Sequence, residues 1–244
     1  MPESPWTQRA YDVRFDWGAT GAAALHTDAG SLVVVDVLSF TTSVSVAVQR
    51  GTAVLPAAWR DARAETLARD ADARLAVGRR SVTPDHPWSL SPAALRAAPA
   101  PERLVLPSPN GSAIAAAAGG GTVVAACLRN ASAVAEWLDG GAPVTVIAAG
   151  ERWPDGSLRP ALEDLLGAGA VIAAMLERTG ATPSPEAAAA AAASRATRSI
   201  ADAVRGCASG VELSRSGFAA DVDIAVEVDR SRVVPVLRDG AFRA

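Results

Sequence analysis

The run Leu32-Val33-Val34-Val35-Asp36-Val37-Leu38 constrains the fold of this chain more than any other segment. Both alternating faces of the run are apolar apart from Asp36, so a strand there must be covered on two sides, as a central strand of a parallel sheet is. A single carboxylate in such a place needs a partner, because burying it alone costs several kcal/mol. A metal ion, an arginine or a neighbouring helix N-terminus could supply one.

Similar short runs at 12–15, 53–56, 104–106, 123–126, 144–148 and 233–237 alternate with Ala-rich, helix-period segments. The helical segments fall at 42–49, 61–71, 93–98, 112–118, 132–138, 162–178 and 186–204. Strands alternating with helices in this way predict an α/β fold wound around a mostly parallel sheet flanked by helices. At 244 residues the chain suffices for one large domain or two small ones. The strand-to-helix turns at 36–44 and 126–134 resemble each other, as two α/β subdomains of similar topology would. We read 1–244 as a single unit with possible subdomains at about 1–90 and 91–244, joined through the Pro-rich, polar stretch 81–101.

Composition removes several classes of function. The formal net charge is −3 and 20% of residues are charged, which suits neither a disordered tail nor a nucleic-acid-binding surface. All 23 basic residues are Arg, so Schiff-base, PLP and ordinary P-loop chemistry have no lysine to use. His26 and His86 sit in loop-like segments and read as surface residues, and Cys127 and Cys207 are too far apart in sequence for a zinc motif. Isolated cysteines fit a reducing compartment, and the segment Pro2 to Arg9 has no signal-peptide pattern, so the expectation is a cytoplasmic protein. The poly-Ala runs at 113–118 and 187–193 are far shorter than the ~20 residues of a membrane span, so no membrane role is expected.

In parallel α/β sheets ligands bind beyond the carboxyl ends of strands, which directs attention to the strand-to-helix turns. Asp36 opens one such turn, with Thr41 and Thr42 at the helix start as anion holders or plain caps. Asn110-Gly111 marks a tight turn whose amides could form an oxyanion or phosphate nest. Gly150-Glu151 ends a strand and precedes Leu162-Glu163-Asp164, where both acids fall in the first turn of a helix and suit its dipole. Helical spacing gathers Leu162, Leu165, Leu166, Gly169 and Ala173 on one face, puts Glu163 on the flank and turns Asp164 nearly opposite. No dinucleotide glycine fingerprint or Gly-x-Ser-x-Gly elbow is present, and Asp221-Val222-Asp223 reads as a coincidence rather than a phosphatase motif.

The order of these segments is similar to that of the 2-phosphosulfolactate phosphatase (ComB-like) family. The resemblance rests on Asp36-Val37-Leu38-Ser39-Phe40-Thr41-Thr42, Pro107-Ser108-Pro109-Asn110-Gly111-Ser112, Leu128-Arg129-Asn130, Gly150-Glu151, Leu162-Glu163-Asp164 and Val233-Val234-Pro235-Val236-Leu237, from about residue 10 to 240. It implies two α/β subdomains and a Mg²⁺-dependent phosphatase that converts 2-phosphosulfolactate to sulfolactate in coenzyme M synthesis. It also implies a site built from Asp36, Thr41, Thr42, Asn110, Gly111, Asn130, Glu163 and Asp164. Within it we expect Asp36 with Glu163 or Asp164 to hold Mg²⁺, Glu151 to take part in catalysis, and an arginine such as Arg129 to grip the acid end of the substrate. The expected partner is a small phosphorylated acid, with a possible homo-oligomer. Two departures bear on the substrate: Ser39 stands where the family usually has Arg, and Gly78-Arg79-Arg80 with Pro87 to Pro92 replaces the usual Gly-Glu and Asn-Ser-Pro segments. A small phosphorylated acid related to 2-phosphosulfolactate is therefore also open, and the alternative of another class is a catalytically silent, regulatory relative that binds a small anion.

Overall fold

The computed structural model describes residues 4–25, 30–118, 120–139 and 143–244. His26 lies outside them. In chain order the elements begin with β1 (Val13–Trp17), α1 (Gly18–Leu25), β2 (Ser31–Val35), α2 (Phe40–Gln49), β3 (Ala53–Ala57), α3 (Ala62–Asp70), β4 (Arg74–Leu75), α4 (Pro92–Ala97) and β5 (Arg103–Pro107). They continue with α5 (Gly111–Ala117), β6 (Thr122–Ala126), α6 (Ala131–Trp137), β7 (Val144–Ala148), β8 (Glu151–Arg152), β9 (Leu158–Arg159) and α7 (Leu162–Thr179). The chain closes with α8 (Pro185–Ala196), α9 (Ile200–Gly206), α10 (Ala208–Arg215), α11 (Ala219–Ala225), β10 (Val236–Arg238) and β11 (Ala241–Arg243).

One nine-stranded sheet runs in the order β1-β7-β2-β6-β10-β11-β3-β5-β4. It contains two parallel blocks, β1-β7-β2-β6 and β3-β5-β4, with the β10–β11 hairpin antiparallel between them. Each block draws strands from both sides of residue 90, and residues 81–101 carry α4, which packs against α2 and α11. The α/β class and the largely parallel sheet agree with the sequence reading.

Alternate residues of β2 enter two different cores, which is why its pattern is apolar on both faces. Val33 and Val35 pack with α6, α7 and α8, while Leu32 and Val34 pack with α2, α5 and α1. The second of these cores takes Leu104 and Leu106 from β5 and Phe242 from β11 as well, so both blocks bury the same apolar cluster.

Three local expectations change. The strand expected over 32–38 ends at Val35, because Asp36 turns away from the ladder to meet the start of α2. Segment 233–237 is not a parallel strand; Val236–Arg238 forms a hairpin with Ala241–Arg243 around Asp239-Gly240, both at positive φ, the usual tight-turn chemistry. The helix expected over 186–204 is two helices, because Ser199 caps Asp202 N–H and restarts the chain as α9. No helix among the described residues is long and apolar enough to cross a membrane.

Candidate active site

The carboxyl ends of β2, β5 and β7 lead into one group of acids. Asp36 follows β2, and its Oδ1 accepts the Phe40 N–H at 3.0 Å while Oδ2 accepts the Gly111 N–H at 2.8 Å. One carboxylate therefore caps both α2 and α5, satisfying two free helix donors where the dipoles favour negative charge. A Cβ at Gly111 would lie 2.7 Å from Asp36 Cβ and 2.8 Å from the Phe40 ring, so this approach requires glycine.

The first turn of α7 supplies two more acids. Asp164 Oδ1 accepts the Val37 N–H at 2.7 Å and Oδ2 accepts the Gly150 N–H at 2.8 Å, tying the ends of β2 and β7 together. Gly150 sits at φ 66, a conformation that glycine adopts without steric cost. Glu163 is 2% exposed, and its Oε2 receives the Cys207 S–H at 3.1 Å. The helical projection is corrected here: Asp164 faces inward with Glu163, and Leu162 is 45% exposed, because this turn abuts the polar strand ends rather than the apolar sheet face. Glu151, which opens β8, is the fourth acid, and its Oε2 accepts the Asn110 side-chain N–H at 3.0 Å.

Burial, and after it the charge of neighbouring acids, raises the proton affinity of Asp36, Asp164 and Glu151. Burial lifts Asp36 above its ordinary value against the pull of the Phe40 and Gly111 N–H groups, and Glu163 adds to the rise while Arg79 opposes it. Burial also lifts Asp164 well above its ordinary value, and Asp36 and Glu163 add to that. Glu151 is pushed up to about 7, first by burial and then by Asp36. Burial and Glu163 push the Cys207 thiol up to about 12, so it remains a thiol and not a nucleophilic thiolate.

Several expected roles move elsewhere. Thr41 donates its hydroxyl to Asp36 O and its N–H to the same carbonyl, and Thr42 donates its hydroxyl to Val37 O, so both lock the β2–α2 turn rather than hold an anion. The Gly111 N–H belongs to Asp36 and is not an open nest. Asn130 is fully buried, accepting from Cys127 N–H and donating to Ala125 O and Val233 O, which makes it a brace after β6. Arg129 bonds Glu227 and, at 2.9 Å, Gln49 at the far end of α2, so it does not join the acids. Asp221 accepts from Ser91 and the Ala93 N–H in addition to Arg79, and His86 is exposed in its loop.

Arg79 was missed as a site residue. It bonds Ser39 Oγ at 2.8 Å and Asp221 at 3.2 Å, and its guanidinium lies over the Phe218 ring. The signal for it was the Gly78-Arg79-Arg80 departure: a cation absent at position 39 is restored beside Ser39 from 40 residues away. A cavity of about 550 Å³ opens here, lined by Leu38, Arg60, Arg79, Arg80, Pro109 and Glu151 among others. A second cavity of about 300 Å³, with Thr20, Asn110 and Arg152 in its wall, shares Pro109 and Glu151 with the first. Glu151 thus links the buried acids to open space.

Among the described residues no three His, Cys, Asp or Glu side chains form a ready metal cage. The donors still suit Mg²⁺, which takes one or two carboxylates and completes its shell with water and phosphate oxygens. Mutual repulsion among Asp36, Glu151 and Asp164, with Glu163 adding to each, is the strain that a divalent cation relieves. No curated protein sequence matches the chain. The family model of 2-phosphosulpholactate phosphatase matches residues 22–240, and the chain, with its acids gathered at the strand ends, belongs to that family of phosphoric monoester hydrolases.

Proposed function

We propose that the protein is a Mg²⁺-dependent phosphatase that hydrolyses 2-phosphosulfolactate, or a closely related small phosphorylated acid, to the free hydroxy acid and phosphate. The observation that carries this reading is the group of four acids beside a cavity lined by Arg60, Arg79 and Arg80. A cation requirement and an anionic substrate meet at Glu151.

Asp36 and Glu163 are the residues that would hold Mg²⁺, with Asp164 fixing the strand ends around them. When bound, the ion would neutralise charge on the transferring phosphoryl group. Glu151, with its affinity for protons near neutrality, is matched to taking a proton from the attacking water or returning one to the departing oxygen at its Oε1, since Oε2 is held by Asn110. Arg60, Arg79 and Arg80 stand where the carboxylate or sulfonate of a phosphorylated acid would lie, and guanidinium forks suit such planar or multidentate anions. Ser39 and Asp221 hold Arg79 in position for that contact.

A panel of phosphorylated small acids, assayed with and without Mg²⁺, tests the reading. Turnover that requires the divalent ion is expected, and Asp36→Asn should lower kcat/KM by about 100-fold or more through weaker metal binding and a lost cap. Unchanged Mg²⁺-dependent turnover in Asp36→Asn overturns the metal assignment. Absence of turnover on every compound, with measurable binding of one of them, would instead favour the silent anion-binding relative.

A further inference from the structure

Four arginines gather around one carboxylate at the end of α2 away from Asp36. Arg50, Arg96, Arg129 and Arg230 line a cavity of about 390 Å³ together with Gln49 and Glu227. The ten-residue helix α2 separates this cavity from the acid group by roughly 14 Å of helix rise.

The internal contacts leave positive charge in excess. Arg96 grips Glu227 with two bonds of 2.7 Å, and Arg129 bonds the same carboxylate, which these two guanidiniums hold below its ordinary pKa. Arg50 spends its donors on the Arg96 and Ala98 carbonyls, which neutralise no charge. Arg230 has neither an ion pair nor a hydrogen bond among the described contacts. Arg129 is 2% exposed, and its Nε is buried without an acceptor. Guanidinium cannot discharge by losing its proton, so four of them around one carboxylate leave a net positive charge that favours a bound anion. A buried donor without an acceptor is a cost that native structures rarely leave in place.

We infer that this cavity is a second anion site, specific for a small, multiply charged phosphate-type anion and separate from the place of hydrolysis. Its charge excess and the unpartnered Nε of Arg129 each point to such a ligand, and neither depends on the phosphatase reading. Phosphate oxygens would bridge Arg230, Arg96 and Arg50, with Arg129 forming the floor.

Calorimetric titration of the full-length chain with inorganic phosphate tests the site. Arg230→Glu, at an exposed residue with no protein partner, should weaken one phosphate-binding event at least tenfold, while the inhibition constant of phosphate against turnover, which reads the acid site, stays within twofold. The same charge reversal at exposed Arg198 on α8–α9 is the control and should leave both values unchanged. Phosphate binding that Arg230→Glu leaves intact, absence of binding at millimolar phosphate, or an equal response to Arg198→Glu each overturns the inference. Titration needs no turnover, so an inactive chain leaves this test in force.

Discussion

The two ends of α2 hold opposite concentrations of charge, and they respond to it differently. At the N-terminal end, burial and then mutual repulsion raise the pKa values of Asp36, Glu151 and Asp164, so these acids respond by holding protons. At the C-terminal end, burial lowers the Arg129 pKa, yet a guanidinium stays charged throughout the accessible pH range. A carboxylate cluster can therefore be charged or nearly neutral according to pH and bound cation, whereas an arginine cluster is permanently set for an anion. The first arrangement suits chemistry in which a proton moves, and the second suits binding.

The largest effect that separates the two ends is expected at Glu151. Glu151→Gln keeps a partner for Asn110 but cannot carry a proton, so kcat should fall by about 10²–10⁴-fold. A steady-state assay with a thermal melt checks this; a loss below tenfold in a folded variant would remove Glu151 from proton transfer. At the other end, Arg129→Met strips Glu227 of one of its two partners and empties a packed position, and a loss of about 3 kcal/mol in stability is expected, equal at pH 5 and pH 8. Chemical denaturation at both pH values would read it, and a loss confined to high pH would show that the two clusters are coupled.

The smallest effect is the pH dependence of the chain without divalent ions. Folded Glu151 keeps its proton to about pH 7, whereas the unfolded chain ionises it near 4.5. Between those values the native state binds more protons, so stability falls as pH rises through the window. The expected fall is of order 2 kcal/mol after allowing for partial solvent exposure, or about 5 °C in Tm, between pH 5 and pH 8 in the presence of a chelator. Added Mg²⁺ should flatten the curve. A melting temperature that rises over this range in chelator would contradict the repulsion among the acids.

The parts of this arrangement that were legible in the sequence are those set by local patterning. The doubly apolar run of β2 marked a central strand and singled out Asp36, Asn110-Gly111 marked the start of α5, and the adjacent acids at 163 and 164 marked the first turn of α7. What escaped was set by contacts between distant segments. Arg79 reaches Ser39 across 40 residues and Asp221 across 142, and no periodicity encodes such pairs. Arg129-Asn130 resembled a second site because it follows a strand in the same manner as Asp36, but its side chains turn to braces and to the opposite end of α2. The Asp239-Gly240 turn was readable and went unread; it makes the C-terminal strands an antiparallel join between two parallel blocks.

The bond between Gly111 N–H and Asp36 spans 75 residues and joins a helix that follows β5, in one block, to a strand end in the other. Asp36 therefore acquires its second donor only after both blocks have docked on their shared apolar cluster, a late event because long-range closure must precede it. Catalytic competence should accordingly appear with the last phase of refolding, so that turnover itself reports the completed chain and no half-assembled form releases phosphate.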